Sequence, residues 1–347
     1  MAIPSTSGDG LWDTVPWQAF PPSPGREEST LQAWHKHHVP YISGANALQN
    51  LDIWIPVKHT DSASTSSTSG APDDISRRPG IWIVYIHGGA WRDPLVTSSS
   101  FTPTIENIFK SHGSVLSKVA GFASINYTLS PYPDHETLPS PPKDPSQPVD
   151  PSRVGRHPDH IVDVLRGLSY LQNRAGFGDN YVLLGHSCGA TLTFQVLEDI
   201  SKWSRGAATS HLNVVKPKTV VGLNGLYDLP TLIRDAGEKH ARWSKIYEEF
   251  IRSAFGDEEK VWYDASPIAV QDWVSEWGRK DGKVVLVQSK EDSLVPYRQL
   301  QDFLSAWRNA QVQGVDVVEV AASGDHDELW EIGDRLAEIV VEVVNEV

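Results

Sequence analysis

Residues 181 to 200 read YVLLGHSCGATLTFQVLEDI: an apolar run of strand length, a turn with glycine on either side of a serine, and then an apolar helical pattern. Strand, sharp turn and helix in that order decide the fold. A nucleophile on so tight a turn adopts a strained backbone, and a neighbouring Cβ would strike the strand or the helix, which accounts for Gly185 and Gly189 around Ser187. Such a turn lifts the Ser187 hydroxyl clear of the sheet. The N-terminus of the following helix favours negative charge developing beside it.

Upstream, the buried-strand pattern IWIVYI (Ile81 to Ile86) runs straight into His87-Gly88-Gly89-Ala90-Trp91. Consecutive glycines let the main chain approach a reacting carbonyl, so the amides of Gly88 and Gly89, with that of Cys188, are expected to form an oxyanion hole. His87 reads as a residue that orients this loop rather than as a base. Trp91 is a candidate for the substrate pocket. Cys188 offers its amide to the same oxyanion, while its side chain is expected to pack between sheet and helix as a small hydrophobe.

Further strand patterns lie at Ala47 to Ile55, Gly121 to Tyr127, Tyr181 to Leu184, Thr219 to Leu223, Lys283 to Gln288 and Val315 to Val320, the first reading as an edge strand. Helical patterns alternate with them at His160 to Arg174, Gly189 to Trp203, Tyr297 to Asn309 and Asp327 to Val344. Alternation of this kind predicts an α/β domain with a mostly parallel central sheet and helices on both faces, with ligands bound beyond the carboxyl ends of the strands. Residues 229 to 277 break the alternation. They are helical and rich in aromatics (Trp243, Tyr247, Phe250, Phe255, Trp262, Tyr263, Trp273, Trp277) and read as a helical cap over the strand ends. Two stretches of low complexity, 60 to 79 and 131 to 158, read as flexible surface insertions within a single domain spanning 1 to 347.

A hydroxyl nucleophile needs a base, and Gly324-Asp325-His326-Asp327-Glu328 follows the last strand pattern, where His326 fits by placement. The remaining histidines, among them His112, His135, His157, His160, His211 and His240, sit in helical, proline-rich or surface-looking contexts where a solvated imidazole is expected. A carboxylate must hold the imidazole tautomer. Asp292, directly after the strand pattern KVVLVQS, is the first choice, Asp228 in LNGLYDL the alternative, and Glu291 and Asp325 read as solvated loop charges. The chain order Ser187, Asp292, His326 is that of the α/β-hydrolase fold.

The chain has 347 residues, a net charge of -14 and a single cysteine. Its acidity repels nucleic acid and anionic membrane surfaces, and one cysteine excludes an internal disulfide. No stretch reaches the length of a membrane span, and residues 1 to 20 lack a basic segment followed by an apolar run, so a cytoplasmic protein is expected. H-E-x-x-H, paired cysteines and a G-x-x-x-x-G-K loop are missing from the sequence, so no metal and no cofactor are expected. Monomer and homodimer both stay open.

Four strings, HGGAWRDP (87 to 94), NYTLSP (126 to 131), GHSCGA (185 to 190) and GDHDEL (324 to 329), together resemble the kynurenine formamidases, or arylformamidases, of fungal type, in the hormone-sensitive-lipase-like branch of the α/β-hydrolases. The likeness runs from about Asn50 to the C-terminus, and the family often has Asn where this chain has Arg92. The resemblance implies hydrolysis of N-formyl-L-kynurenine to L-kynurenine and formate, a step of tryptophan breakdown that can feed NAD synthesis. It carries the triad onto Ser187, Asp292 and His326, and the oxyanion donors onto Gly88, Gly89 and Cys188. Two rival readings use the same fold: a general small-acyl carboxylesterase with the same triad, and an inactive hydrolase-fold receptor or binding module.

Overall fold

The computed structural model describes residues 9–20, 32–57, 71–72, 74–76, 78–203, 212–310 and 314–347. Nine strands form one sheet: β1 (Gln18–Phe20), β2 (Ala33–Pro40), β3 (Asn50–Pro56), β4 (Ile81–Ile86), β5 (Val119–Ile125), β6 (Tyr181–His186), β7 (Thr219–Leu223), β8 (Lys283–Ser289) and β9 (Asp316–Ala322). Their spatial order is β1-β2-β3-β5-β4-β6-β7-β8-β9. From β5 to β9 every neighbouring pair is parallel, whereas β1, β2 and β3 run antiparallel at one side.

Parallel strands need helical crossovers, and the helices cover both faces. Alternate residues of β4 show the division. Trp82, Val84 and Ile86 join a core with the helices Asp159–Ala175, Cys188–Gln195 and Arg298–Asn309, while Ile81, Ile83 and Tyr85 join a core with Thr102–Ser111 and Asp334–Glu346. Strand β4 pairs with β5 on one side and β6 on the other. The winding therefore reverses between β4 and β6, and a crevice opens beyond the carboxyl ends of these two strands.

The sheet matches the expected class, and several details differ. The segment expected as an edge strand is interior, because β2 lies outside it and all seven residues of β3 are buried. Strand β2 had no apolar alternation to announce it: its sequence is AWHKHHVP, in which His37 Nδ1 lies 3.0 Å from Asp52 and Lys36 Nζ donates to Trp12 O at 2.9 Å. The helical pattern 189 to 203 stops at Gln195 and resumes as a short 3-10 turn, Ile200–Trp203. The expected helix 327 to 344 is two helices, Glu328–Glu331 and Asp334–Glu346, broken at Gly333.

Residues 229 to 277 form the expected helical cap, with Leu229–Arg234, Ser244–Phe255, Glu259–Asp264 and Trp273–Trp277 between β7 and β8. Of the two insertions, 60 to 79 lies largely outside the described residues. Segment 131 to 158 has little regular structure, namely one bridge between Tyr132 and Ser140 and a 3-10 turn at Pro151–Arg153. Its own polar groups fasten it: Arg153 donates to Leu138 O at 2.7 Å, and Ser140 Oγ donates to Arg153 O at 3.1 Å.

Candidate active site

Ser187 occupies the turn between β6 and the helix Cys188–Gln195 with φ +55° and ψ −120°. A non-glycine residue there costs about 1–3 kcal/mol, so its surroundings must impose it. They do. Ser187 N donates to Leu223 O at 2.8 Å, and its carbonyl accepts from Ala190 N at 3.0 Å and from Leu226 N at 3.3 Å. A Cβ on Gly185 would lie 2.1 Å from Gly189 O, and one on Gly189 would lie 2.3 Å from Ile86 O. Neither position admits a side chain without moving backbone. Gly189→Val should therefore give protein that is insoluble or melts well below wild type in a thermal denaturation scan, and an unchanged melt would contradict this packing.

Beside this turn, the loop after β4 is held from several sides. Tyr127 Oη donates toward the carbonyls of His87 (3.0 Å) and Gly88 (3.1 Å), its ring stacks on the His87 imidazole at 4.4 Å, and Ser130 N donates to Trp91 O at 2.7 Å. The NYTLSP string thus fixes the glycine loop. The rest of that string is anchored too, since Asn126 donates to Asn50 Oδ1 and Ser98 Oγ. Burial pushes His87 down to about 4, which favours a neutral imidazole. The Gly88 and Gly89 amides have no hydrogen-bond acceptor among the described residues.

Cys188 is fully buried, and its sulfur accepts from Trp91 N at 3.2 Å. Burial pushes the thiol up to about 11. It is a packed hydrophobe rather than a second nucleophile. Native protein should resist iodoacetamide at neutral pH while denatured protein takes up one label by mass spectrometry; rapid native labelling would contradict this placement.

On the far side of the crevice, His326 Nδ1 lies 2.8 Å from Asp292 Oδ2, both groups being buried. The Asp292 carboxylate is fully engaged: Oδ1 accepts from Leu294 N (2.8 Å) and Val295 N (2.7 Å), and Oδ2 also accepts from Gln288 Nε2 (3.1 Å). Burial alone would lower the His326 pKa, but the Asp292 hydrogen bond and charge, with Asp327 and Asp325 nearby, raise it above its ordinary value. The alternative acid, Asp228, is the N-cap of the helix Leu229–Arg234 and accepts from Thr231 N and Oγ1.

Several residues that build this pair were not singled out in the sequence. His186 Nε2 lies 3.0 Å from His326 O, and Asn224 Nδ2 donates to the same carbonyl at 3.2 Å. Gln288 belongs with them. His186 could have been noticed as the variable position beside the nucleophile, but nothing local marks Asn224 or Gln288. Glu291 and Asp325 are exposed loop charges, as the sequence suggests, and they also make specific hydrogen bonds. Asp325 Oδ1 accepts from Ser293 N and from His326 N at 2.7 Å each, and Glu291 Oε2 accepts from Gly324 N at 2.6 Å, so the two carboxylates tie the acid loop to the histidine loop. The expectation of solvated imidazoles also fails at His135, His160 and His240, all buried. His160 Nε2 lies 2.8 Å from Ser130 Oγ, and His240 Nε2 lies 3.0 Å from Asp292 O.

Ser187 and His326 line one cavity of about 260 Å³, together with Gly89, Arg92, Tyr132, Trp243, Tyr247 and Phe250. Cap and sheet therefore both line the space beside the hydroxyl and the imidazole, where aromatic rings alternate with aliphatic and polar groups. Trp91 does not line it. The side chain is fully buried, edge-on to Phe255 at 5.0 Å, because Trp91 takes φ +58° and turns away into the core, so the pocket role expected for it is corrected. Of the cap aromatics, Trp243, Tyr247 and Phe250 reach the cavity; Phe255, Trp262, Trp273 and Trp277 are buried in the core instead.

No family model matches the chain. A kynurenine formamidase-like hydrolase of Fusarium equiseti is 36% identical over 320 residues, spanning 90% of this chain and 95% of that protein. A kynurenine formamidase of Aspergillus versicolor is 31% identical over 265 residues, 73% of this chain and 84% of that one. Among solved structures, esterase B of Lactobacillus rhamnosis superposes with a TM-score of 0.57 at 15% identity, covering 93% of this chain and 89% of that one. A thermophilic esterase of Thermogutta terrifontis with butyrate bound gives 0.55 at 16%, covering 89% and 93%. At such identities these two speak for the fold, which is that of the α/β-hydrolases.

Proposed function

The chain belongs to the kynurenine formamidase family, and from that premise we propose that it is a cytoplasmic serine hydrolase converting N-formyl-L-kynurenine to L-kynurenine and formate, within the hormone-sensitive-lipase-like branch of its fold. The observation that carries the proposal is the buried Asp292–His326 pair at 2.8 Å facing the same cavity as Ser187.

Ser187 Oγ attacks the formyl carbon as His326 Nε2 takes its proton, and Asp292 holds Nδ1–H and stabilises the imidazolium. The oxyanion rests on the Gly88, Gly89 and Cys188 amides, which develop their full strength only as charge appears on the oxygen. Collapse of the tetrahedral intermediate breaks the C–N bond. An aryl amide anion leaves poorly, so the imidazolium gives its proton to the departing nitrogen. Water, deprotonated by the same imidazole, then releases formate from the formyl-serine. A formyl group needs almost no acyl pocket, so the room beside Ser187 serves the aryl leaving group, for which Trp243, Tyr247 and Phe250 provide apolar walls.

Comparing kcat/KM for N-formyl-L-kynurenine with that for a short-chain aryl ester tests the assignment: the formamide is expected to be strongly preferred. A strong preference for the ester would replace the formamidase with a general carboxylesterase. Failure to label with a fluorophosphonate probe, with ligand still bound, would indicate an inactive binding module. The acid limb of kcat/KM follows from His326. Its neutral form is the base, and its pKa is raised, so activity should climb with pH about a midpoint above the ordinary 6.5. A midpoint clearly below that value in a stopped-assay pH series would contradict the Asp292 contact.

A further inference from the structure

Arg92 is only 6% exposed, yet it lines the cavity that holds Ser187 and His326. Burying a guanidinium is costly unless it is paired. Among the described residues no carboxylate or carbonyl reaches it within hydrogen-bond distance. Asp93, the carboxylate next in sequence, accepts from Leu95 N at 2.9 Å and lies 3.7 Å from His135 Nε2. Asp327, also on the cavity wall, accepts from Trp330 Nε1 at 2.9 Å. Glu249, Asp93 and Asp134 attract the guanidinium only from a distance, Asp93 from the cavity wall.

Rings hold it instead. The Arg92 Cζ lies 3.9 Å from the centre of the Tyr132 ring and 5.9 Å from that of Phe250. Contact that close allows the planar guanidinium to stack on Tyr132, which satisfies its faces and leaves its N–H edges available. Arginine offers those edges as a rigid fork that matches a carboxylate. The side chain is thus placed, desolvated and short of an anion, in the cavity where the substrate must sit.

We propose that Arg92 is a specificity-determining residue that takes the carboxylate of an aromatic amino-acid leaving group, so that the enzyme selects carboxylate-bearing substrates over analogues that lack the carboxylate. The inference rests on the reading of this cavity as the hydrolytic site, but not on the formyl group. It gives the polar end of the pocket a role distinct from that of its aromatic walls.

The test uses two matched substrate pairs with wild type, Arg92→Gln and Arg92→Lys: N-formyl-L-kynurenine against N-formylkynuramine, which lacks the carboxylate, and 4-acetoxybenzoate against phenyl acetate. Wild type is expected to favour the carboxylate-bearing member of each pair. In Arg92→Gln the ratio of kcat/KM within a pair should fall at least about 20-fold, mostly through KM, as for a lost hydrogen bond to a charged group. Arg92→Lys should recover part of it. A ratio unchanged by Arg92→Gln, or a wild type without preference for the carboxylate, overturns the proposal. If only the esters are turned over, the formamidase reading falls while the ester pair still decides the role of Arg92. If neither is turned over, calorimetric titration with L-kynurenine and kynuramine decides it: loss of discrimination in Arg92→Gln supports the proposal, and equal binding by wild type overturns it. Thermal melts of the variants guard against a mere packing effect at the Tyr132 contact.

Discussion

Ser187→Ala is expected to lower kcat for N-formyl-L-kynurenine by at least about a thousandfold, and by as much as about a millionfold if the triad acts as a unit. On the proposed mechanism, alanine removes the atom that attacks the formyl carbon while leaving the turn intact. The positive φ at this position is imposed by main-chain bonds to Leu223, Ala190 and Leu226, none of which involves the hydroxyl. The variant should therefore fold, melt close to wild type and still bind substrate, which separates lost chemistry from lost structure. What remains would come from binding and from the amides beside the empty Cβ position. Kynurenine release followed by absorbance is the measurement. A residual rate within tenfold of wild type would mean that another group carries the attack.

The nucleophile turn and the glycine loop were legible because both are local. Gly185, Ser187 and Gly189 lie within five residues of one another, and a Cβ on Gly185 would strike the helix that follows directly, so a short string reports that part of the geometry. The parallel sheet was legible for a related reason, since strands buried on both faces read as continuous apolar runs. Strand β2 was not. Its HKHH stretch carries polar side chains whose partners lie elsewhere, His37 on Asp52 and Lys36 on the Trp12 carbonyl, and no periodicity within the stretch records that. The same physics explains Trp91, where an aromatic next to the catalytic loop suggests a pocket wall, but a backbone turned to φ +58° sends it into the core. His186 and Asn224, which hold the histidine loop through the His326 carbonyl, act across the strand ends on a partner more than a hundred residues away. Convergence of that kind is a property of the sheet order.

Asp292→Asn is expected to cost about 10⁴-fold in kcat with little loss of stability, and the reason lies in how its two oxygens are used. Oδ1 accepts from the amides of Leu294 and Val295, and an asparagine carbonyl in the same place accepts them equally well. The new amide nitrogen then occupies the position of Oδ2, between His326 Nδ1 and Gln288 Nε2. Gln288 can accommodate it by turning its amide over, since its Oε1 is buried without a partner and would become the acceptor. His326 can accommodate it only by accepting at Nδ1, which places its proton on Nε2. The imidazole then presents N–H, not a lone pair, to the Ser187 hydroxyl, and the base is lost although every atom is nearly where it was. The imidazolium also loses its counter-charge. Asp228→Asn is the comparison, because an asparagine still caps the helix Leu229–Arg234 and sits apart from the imidazole; its kcat should stay within a few-fold of wild type. Rates for the two variants in the reverse order would assign the triad acid to Asp228 instead.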